Sequence, residues 1–259
     1  MVSQSKVAVV TGASRGIGAC VAVDLAAAGY DVVCVARSSN SSPGRLPGTI
    51  EDTVARVVEQ GQRGLPIVLD VRDETAVHDL ATKVQREYGR CDLVVNNAAV
   101  APPGTTADIA LKHWQLAFDV NVHGPMYITR HFGAWMREQG GGRIINVSSS
   151  ASINPEVNWV SYTVTKAALE ALTLSCAAEL APNVAVNCIR LELNVYSEGY
   201  EARLGEDLPG IEFEHPIVMG DAVRWFAGQP LTMTGAIKTI AELREIGVVR
   251  PRTEWLPKA

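Results

Sequence analysis

Three side chains suited to proton transfer lie close together in the middle of the chain: Ser149, Tyr162 and Lys166. Tyr162 and Lys166 are four residues apart, so on a helix they would share one face. A tyrosine normally titrates near about 10, and a neighbouring ammonium group favours the phenolate and lowers that value. A serine hydroxyl beside them would donate a hydrogen bond to a developing oxyanion. These residue types suit proton transfer coupled to hydride transfer at a carbonyl group, with Tyr162 as the acid or base.

The predicted elements around these residues give them a reason to converge. Ile144–Val147 is an apolar run that predicts a buried strand, and Ser149 follows at its carboxyl end. Val160–Ala181 predicts a helix, which Pro182 stops. In an open α/β sheet, ligands bind at the carboxyl ends of the strands, where Ser149 would lie. A Tyr-x-x-x-Lys pair is also common on solvated helix faces, so this motif alone does not fix a function.

A glycine-rich turn follows the first predicted strand. Val7–Val10 runs into Thr11–Gly18, followed by a helix to about Ala28 and a second strand at Asp31–Ala36. This order is typical of dinucleotide-binding units, in which the amino terminus of the helix presents free N–H groups to a diphosphate. The turn residues expected to bind the cofactor are Gly12, Ser14, Arg15, Gly16, Ile17 and Gly18.

Charge placement after the second strand favours NADP(H) over NAD(H). An acid about twenty residues past the glycine turn would bind the adenosine ribose of NAD, whereas an arginine would accommodate the 2′-phosphate of NADP. The second strand leads into Arg37 and Ser38, and the nearest acid, Asp31, lies at its other end. We expect Arg15 and Arg37 to hold a phosphate, although two solvated surface arginines would give the same pattern.

Strand and helix patterns alternate along the rest of the chain. Further strands are predicted at Leu65–Leu69, Asp92–Val95, Val184–Ile189 and Gly235–Ala241. Further helices are predicted at Ile50–Gln60, Asp73–Tyr88, Ala107–Gln139 and Asp221–Gly228. This alternation predicts a single α/β domain over residues 1–259, a Rossmann doubly wound parallel sheet of about seven strands with helices on both faces. The irregular tract 191–215 is predicted to be a substrate lid.

Asn121 is a polar residue amid apolar neighbours on the long predicted helix. It should therefore have a hydrogen-bonding task. It would either hold a water behind Lys166 or stabilise a bend in the helix, and the spacing does not separate these two tasks.

Composition excludes several classes of function. The net charge of −5 gives no basic surface for nucleic acid or an anionic membrane. The apolar run Val7–Val10 is too short for a signal peptide or a membrane span. The five cysteines lack Cys-x-x-Cys spacing, and the histidines lack metal-ligand spacing. We therefore expect reduced thiols, no metal site and a cytoplasmic location.

Taken together, the motifs resemble those of the short-chain dehydrogenase/reductase family. The matching segments, in chain order, are Thr11–Gly18, Asn96–Ala99, Asn121, Ser149 and the Tyr162-x-x-x-Lys166 pair. The resemblance implies a Rossmann fold, an NAD(P)(H) cofactor and reversible oxidation of an alcohol to a carbonyl compound. It also implies a role for each catalytic residue: Tyr162 as acid/base, Lys166 as ribose anchor, Ser149 as binder of the substrate oxygen and Asn121 as support for a proton relay.

The same resemblance extends the cofactor-binding set. It implies that Asp70 and Val71 flank the adenine and that Asn97 and Ala98 contact the ribose side, and we add Val195 after the sixth strand. Arginines at the Arg15 and Arg37 positions are usual in members that prefer NADP(H). Members are often homodimers or homotetramers, and the helix surface 169–180 would suit such an interface.

Two departures from the family pattern stand out. Leu191-Glu192 replaces the usual Pro-Gly that helps to seat the nicotinamide, and the carboxyl-terminal Asp-Gly-Gly is missing. The ending and the long loop 43–50 resemble a citronellol-dehydrogenase-like or hydroxysteroid-dehydrogenase-like subgroup, which favours a fairly apolar alcohol or carbonyl substrate. The residues expected to bind substrate are Ser149, Ala151, Ile153, Trp159 and Tyr196.

A second function on the same fold stays open. A regulatory or sensor protein would bind NADPH without turnover, and Leu191-Glu192 gives a reason to consider it. An enoyl reductase is a weaker alternative, because such proteins usually separate the tyrosine and lysine more widely and lack the serine.

Overall fold

Seven parallel strands form one sheet, and the structure, a computed structural model, describes residues 5–204 and 212–252. The strands are β1 (Lys6–Thr11), β2 (Tyr30–Ala36), β3 (Gly64–Val68), β4 (Leu93–Asn96), β5 (Gly142–Ser149), β6 (Val184–Leu191) and β7 (Ile237–Thr239). Their order in the sheet is β3-β2-β1-β4-β5-β6-β7. The order reverses beside β1, so a crevice opens at the carboxyl ends of β1 and β4, where such folds bind ligands.

Helices cover both faces of the sheet, as predicted. They are α1 (Gly16–Ala27), α2 (Ile50–Glu59), α3 (Glu74–Tyr88), α4 (Leu111–Phe118), α5 (Gly124–Glu138), α6 (Val160–Leu180), α7 (Glu198–Leu204), α8 (Ile217–Gly228) and α9 (Ile240–Glu245). Short 3₁₀ and π segments are described below with the site. The predicted Rossmann doubly wound sheet is confirmed.

The strands are apolar runs because both faces of the sheet are buried. Successive residues of a strand point to opposite faces, so β1 contributes Ala8 and Val10 to one core and Val7 and Val9 to the other. The first core packs under α1, α2 and α8, and the second under α3, α5 and α6. The sheet is therefore a rigid platform whose strand ends hold the site.

Three predicted elements have different bounds. The helix predicted at Ala107–Gln139 begins only at Leu111 and contains a π turn, Asp119–His123, between α4 and α5. The helix predicted at Asp221–Gly228 begins at Ile217, because Pro216 allows a helix to start and the apolar residues after it are buried.

The strand predicted at Gly235–Ala241 is limited to Ile237–Thr239. It stops because Thr239 and Glu242 form a capping box, and the chain therefore turns into α9 at Ile240. The predicted lid contains α7, and residues 205–211 of it lie outside the described residues.

Among the described residues, no helix combines the length and apolar character needed to cross a membrane. The same residues contain no group of three or more histidine, cysteine or acidic side chains placed to hold a metal ion.

Candidate active site

The glycine turn between β1 and α1 leaves no room for side chains. Gly12 and Gly16 have φ of 67° and 54°, in the left-handed region that favours glycine. A Cβ on Gly18 would collide with the carbonyl oxygen of Gly12 and lie 2.6 Å from Nδ2 of Asn97. The close approach places the amino terminus of α1 at the crevice, which fits a dinucleotide diphosphate.

The beginning of α7 lies directly against this turn. A Cβ on Gly16 would come within 2.7 Å of the Cβ of Ser197 and 3.3 Å of Oε2 of Glu198. That Oε2 atom is buried and has no hydrogen-bond partner among the described residues. An anionic oxygen without a donor, beside the amino terminus of a helix, lies where a phosphate oxygen would be favoured.

Arg15 holds the long loop between β2 and α2. Its Nε donates to the carbonyl oxygen of Pro47 at 2.8 Å, and its Nη2 donates to Oγ of Ser38 at 2.9 Å. Nη2 also donates to the carbonyl oxygens of Leu46 and Gly48 at 3.1 and 3.2 Å. Arg15 and the buried Ser38 therefore shape the wall of the crevice after β2.

Arg37 is the more available of the two predicted phosphate-binding arginines. Its side chain is 62% exposed, and Nη1 lies 3.8 Å from Oδ2 of Asp70. Asp70 also accepts hydrogen bonds from Nε and Nη2 of Arg72 at 3.0 and 2.7 Å. Burial alone would raise the pKa of Asp70, but these hydrogen bonds and the two guanidinium charges outweigh it and lower the pKa. Val71, next to Asp70, has its side chain in the core.

Asn97 and Ala98 connect β4 to the glycine turn. Nδ2 of Asn97 donates to the carbonyl oxygen of Thr11 at 2.9 Å. The backbone N–H groups of Asn97 and Ala98 both donate to Oγ1 of Thr11, at 3.0 and 3.1 Å. These bonds fix the floor of the crevice between β1 and β4.

Lys166 joins α6 to β5 at the opposite wall. Its Nζ donates to the carbonyl oxygen of Val147 at 2.6 Å, and its side chain is buried. Nζ also lies 5.4 Å from the centroid of the Tyr162 ring, within the range of a cation–π contact. Ser149 ends β5, and its Oγ accepts a hydrogen bond from the backbone N–H of Ala151 at 3.3 Å. The three predicted catalytic side chains thus lie at the carboxyl end of β5 or in the first turns of α6.

Asn121 lies in the π turn and is 1% exposed. Its Oδ1 accepts from the backbone N–H of Val100 at 2.8 Å, and its Nδ2 donates to the carbonyl oxygen of Val100 at 2.8 Å and to Oγ1 of Thr165 at 3.0 Å. Thr165 directly precedes Lys166, so Asn121 fixes α6 next to the lysine. These contacts connect the π turn to the segment after β4 and to α6, and the choice between the two predicted tasks of Asn121 stays a prediction.

A buried ionic cluster beside the site was missed from the sequence. Glu170, one helical turn after Lys166, accepts from Oγ of Ser148 at 2.8 Å and from Oγ of Ser152 at 2.7 Å. Nε and Nη2 of Arg190 donate to the same carboxylate at 3.0 and 2.6 Å. The signal in the sequence was an acid amid apolar helix residues, which usually needs a buried partner.

The residues predicted to bind substrate do not share one cavity. Trp159 lines an open cavity of about 830 Å³ with Pro103, Gly104, Asp108, Ala110, His113 and Asn158. Tyr196 lines another cavity, of about 400 Å³, on the side of Arg15 and Gly16. Ala151 is buried beside Ser149, whereas Ile153 is 56% exposed. The structure therefore separates Tyr196 from Trp159.

The two departures from the family pattern meet in space. Glu192 accepts hydrogen bonds from the backbone N–H groups of Ile240 and Ala241, at 3.1 and 2.5 Å, and so caps α9. The chain then pairs at Val195 with Glu214, and the Val195 side chain enters the core. Leu191-Glu192 thus anchors the base of the predicted lid to α9, in the segment where the family's Asp-Gly-Gly is missing.

Comparison with known proteins gives one consistent family. The short chain dehydrogenase family profile matches residues 6–193. Short-chain reductase protein NovJ of Streptomyces niveus is 38% identical over 189 residues, which cover 73% of this chain and 69% of that protein. Hydroxysteroid dehydrogenase-like protein 2 of Danio rerio is 28% identical over 228 residues, covering 87% of this chain and 54% of that protein. The chain therefore spans about half the length of hydroxysteroid dehydrogenase-like protein 2.

Solved structures agree with the profile. NAD⁺-bound xylitol dehydrogenase superposes with a TM-score of 0.81 at 25% identity, covering 91% of this chain and 97% of that one. The seven-stranded sheet and the profile match lead to the same assignment. The chain belongs to the short-chain dehydrogenase/reductase family of oxidoreductases, whose fold binds NAD(P) cofactors.

Proposed function

We propose that this chain is an NADP(H)-dependent oxidoreductase that interconverts an alcohol and a ketone or aldehyde. The observation that carries the proposal is the placement of Lys166, whose ammonium is bonded to the Val147 carbonyl and faces the Tyr162 ring. A buried cation fixed beside a phenol, at the strand end that carries Ser149, suits proton transfer at a substrate oxygen.

Each residue has one task in the proposed reaction. When bound, the cofactor supplies or accepts the hydride at the carbonyl carbon. During reduction, the Tyr162 hydroxyl donates its proton to the carbonyl oxygen as that oxygen gains negative charge. Ser149 donates a hydrogen bond to the same oxygen. Lys166 keeps a positive charge beside the Tyr162 phenol while the phenol loses its proton. Oxidation of the alcohol reverses these transfers.

The cofactor would lie across the strand ends, held at three places. The glycine turn and the amino terminus of α1 would hold the diphosphate. The segments after β3 and β4, with Asp70, Val71, Asn97 and Ala98, would hold the adenosine and the ribose.

The preference for NADP(H) rests on the segment after β2. Arg37 is exposed and adjoins Ser38, and a guanidinium group there would pair with a 2′-phosphate. The NAD⁺ in xylitol dehydrogenase shows that the fold also accepts the unphosphorylated cofactor. The charge of Arg37 is therefore the specific support for NADP(H) in this chain.

A fairly apolar small molecule is the proposed substrate. Its support is the resemblance to the hydroxysteroid-dehydrogenase-like subgroup, since the cavity that Trp159 lines is mixed, with Pro103 and Ala110 beside the polar side chains of Asp108, His113 and Asn158. We further propose a single NAD(P)-binding domain over residues 1–259, with 191–215 as a lid and a cytoplasmic location. The exposed apolar residues Val164 and Leu174 on α6 would suit a homodimer or homotetramer.

A cofactor-consumption screen tests the proposed function. NADPH oxidation is followed with ketones and aldehydes of graded size, and the screen is repeated with NADH and in the alcohol-oxidation direction. Turnover of at least one carbonyl compound, faster with NADPH, is expected. Tight NADPH binding without turnover across the panel would instead favour the sensor alternative, for which Leu191-Glu192 in place of the family's Pro-Gly is the specific support.

A further inference from the structure

Glu170 is buried beside the candidate active site but touches none of the proposed reacting atoms. Resting on the proposed function, we infer that Glu170 is a positioning residue that fixes the Ser149 hydroxyl relative to Tyr162 and Lys166. The Glu170 side chain is 9% exposed. Its carboxylate accepts hydrogen bonds from Ser148 in β5, Ser152 in the 3₁₀ turn after β5 and Arg190 in β6.

The carboxylate holds the backbone on both sides of Ser149. Ser148, in β5, and Ser152, in the 3₁₀ turn that follows, donate to the same oxygen, Oε1 of Glu170, at 2.8 and 2.7 Å. Ser149 lies between these two attachment points. Its own side chain accepts only a long hydrogen bond, 3.3 Å, from Ala151 within the described residues. The position of the Ser149 hydroxyl therefore depends on how Ser148 and Ser152 are held.

The same carboxylate belongs to the helix that carries the other two groups. Glu170 is four residues after Lys166 and eight after Tyr162, so all three lie along one side of α6. Ser148 Oγ also lies 3.4 Å from the carbonyl oxygen of Lys166. Glu170 thus sets the distance between the serine-bearing turn and the tyrosine-bearing helix.

Arg190 keeps this carboxylate ionised. Burial alone would raise the pKa of Glu170, but hydrogen bonds from Arg190, Ser152 and Ser148 outweigh it, and the pKa is lowered. An ionised carboxylate only accepts hydrogen bonds, so both serine hydroxyls must donate to it. If either hydroxyl rotated away, Oε1 would lose one of its three hydrogen bonds although Arg190 would still pair with the charge, so the carboxylate favours the observed direction of both bonds.

A role in stability alone explains the cluster poorly. A buried ion pair often contributes no more stability than apolar residues of similar volume, because both ions lose their hydration. The gain here is geometric, because one charge connects β5, β6 and α6 at the strand end where Ser149 lies. A misplacement of about 1 Å in such a site can reduce turnover by about 10²-fold.

The test compares Glu170→Gln with a matched variant, Asp92→Asn. Asp92 also pairs with an arginine, Arg90, and accepts a backbone hydrogen bond, from Val7, but it lies at the amino end of β4. Glu170→Gln should lower kcat by about 10- to 100-fold while the Kd for NADPH stays within about twofold. Asp92→Asn should lose thermal stability without this loss of kcat.

A double-variant cycle separates positioning from general damage. In a Ser149→Ala background, Glu170→Gln should change kcat by less than about twofold, because the group that it positions is already absent. A loss of kcat as large in that background as in the parent would overturn the inference, as would wild-type kcat in Glu170→Gln itself.

Ser152→Ala and hydrogen–deuterium exchange test the inference even if Glu170→Gln does not fold or no turnover is found. Should Glu170→Gln fail to fold, Ser152→Ala removes one attachment point and should show a smaller loss of kcat in the same direction, and wild-type kcat there would overturn the inference. Hydrogen–deuterium exchange at residues 148–153 should rise in either variant, and unchanged exchange would also overturn it. Absence of turnover in the wild-type protein would refute the proposed function instead. Hydrogen–deuterium exchange does not depend on turnover, so it still tests the inference about Glu170 in that case.

Discussion

Replacing Gly18 by alanine should destabilise the protein even though alanine is the better helix former. Gly18 lies in the first turn of α1, where its backbone is helical, and a Gly→Ala change inside a helix gains about 1 kcal/mol at most. The added Cβ would collide with the backbone oxygen of Gly12 and approach Nδ2 of Asn97 to 2.6 Å. Overpacking of this kind costs about 1–3 kcal/mol, and a backbone oxygen cannot rotate away as a side chain can.

Because the clash is with backbone, its cost should lie in the upper part of that range, about 2–3 kcal/mol, which leaves a net loss of about 1–2 kcal/mol after the gain in helix propensity. In a domain of this size, that loss lowers Tm by about 2–8 °C. Because the glycine turn must shift, the Kd for NADPH should also rise by about tenfold or more. Thermal unfolding and fluorescence titration with NADPH measure the two effects.

Gly228→Ala is the matched control. Gly228 ends α8, and a Cβ there would meet nothing within 4 Å, so its stability should stay within about 0.5 kcal/mol of wild type. If Gly18→Ala were as stable as this control and bound NADPH as tightly as wild type, the reasoning about the tight turn would be refuted.

Three further predictions address the cofactor and the ionic cluster. Arg37→Ala should raise the Kd for NADPH by about tenfold and leave that for NADH unchanged, since only NADPH carries a 2′-phosphate; equal effects on both cofactors would contradict the assignment. Glu198→Gln should lower the Kd for NADPH by about 3- to 10-fold, because it removes a negative charge next to the glycine turn, and weaker binding would show that the carboxylate does not compete with the diphosphate. Glu170 has a lowered pKa in the folded protein, so its contribution to stability is present above its unfolded pKa of about 4.3 and is lost as the pH falls through the folded value. The free energy of unfolding should therefore be measured with urea from about pH 6 to about pH 3. It should fall less steeply with decreasing pH in Glu170→Gln than in wild type, and an equal dependence on pH in the two proteins would argue against a lowered pKa.

The fold could be predicted from the sequence because its main signals are local. Buried parallel strands are short apolar runs, as at Val184–Ile189, which lies within the observed β6. The pairing of Tyr162 with Lys166 follows from helix geometry, and the structure confirms that Nζ lies close to the ring.

Features that depend on distant contacts could not be predicted in this way. The π turn at Asp119–His123 adds a residue to one helical turn and leaves no mark on the apolar pattern. The partner of Glu170 is Arg190, twenty residues away on β6, and only the order of strands shows that they meet. From the sequence, Glu192 was only a departure from the family pattern. Its role as a cap could not be predicted, because it depends on α9 beginning directly after β7.

The site beyond the strand ends was predicted less well. Trp159 and Tyr196 are both aromatic residues near expected active-site segments. Their positions in the sequence do not show on which side of the crevice each side chain lies. The structure assigns them to separate cavities, because the lid base pairs at Val195 and directs Tyr196 toward the glycine turn.

The most direct test of the central claim is the turnover of Tyr162→Phe, measured with NADPH and an active carbonyl compound from the screen. Removing only the hydroxyl leaves the ring beside Lys166 in place, so the Kd for NADPH should be unchanged. Loss of the general acid should lower kcat by about 10²–10⁴-fold. Wild-type turnover in this variant would contradict the account, because another group would then have to protonate the substrate oxygen.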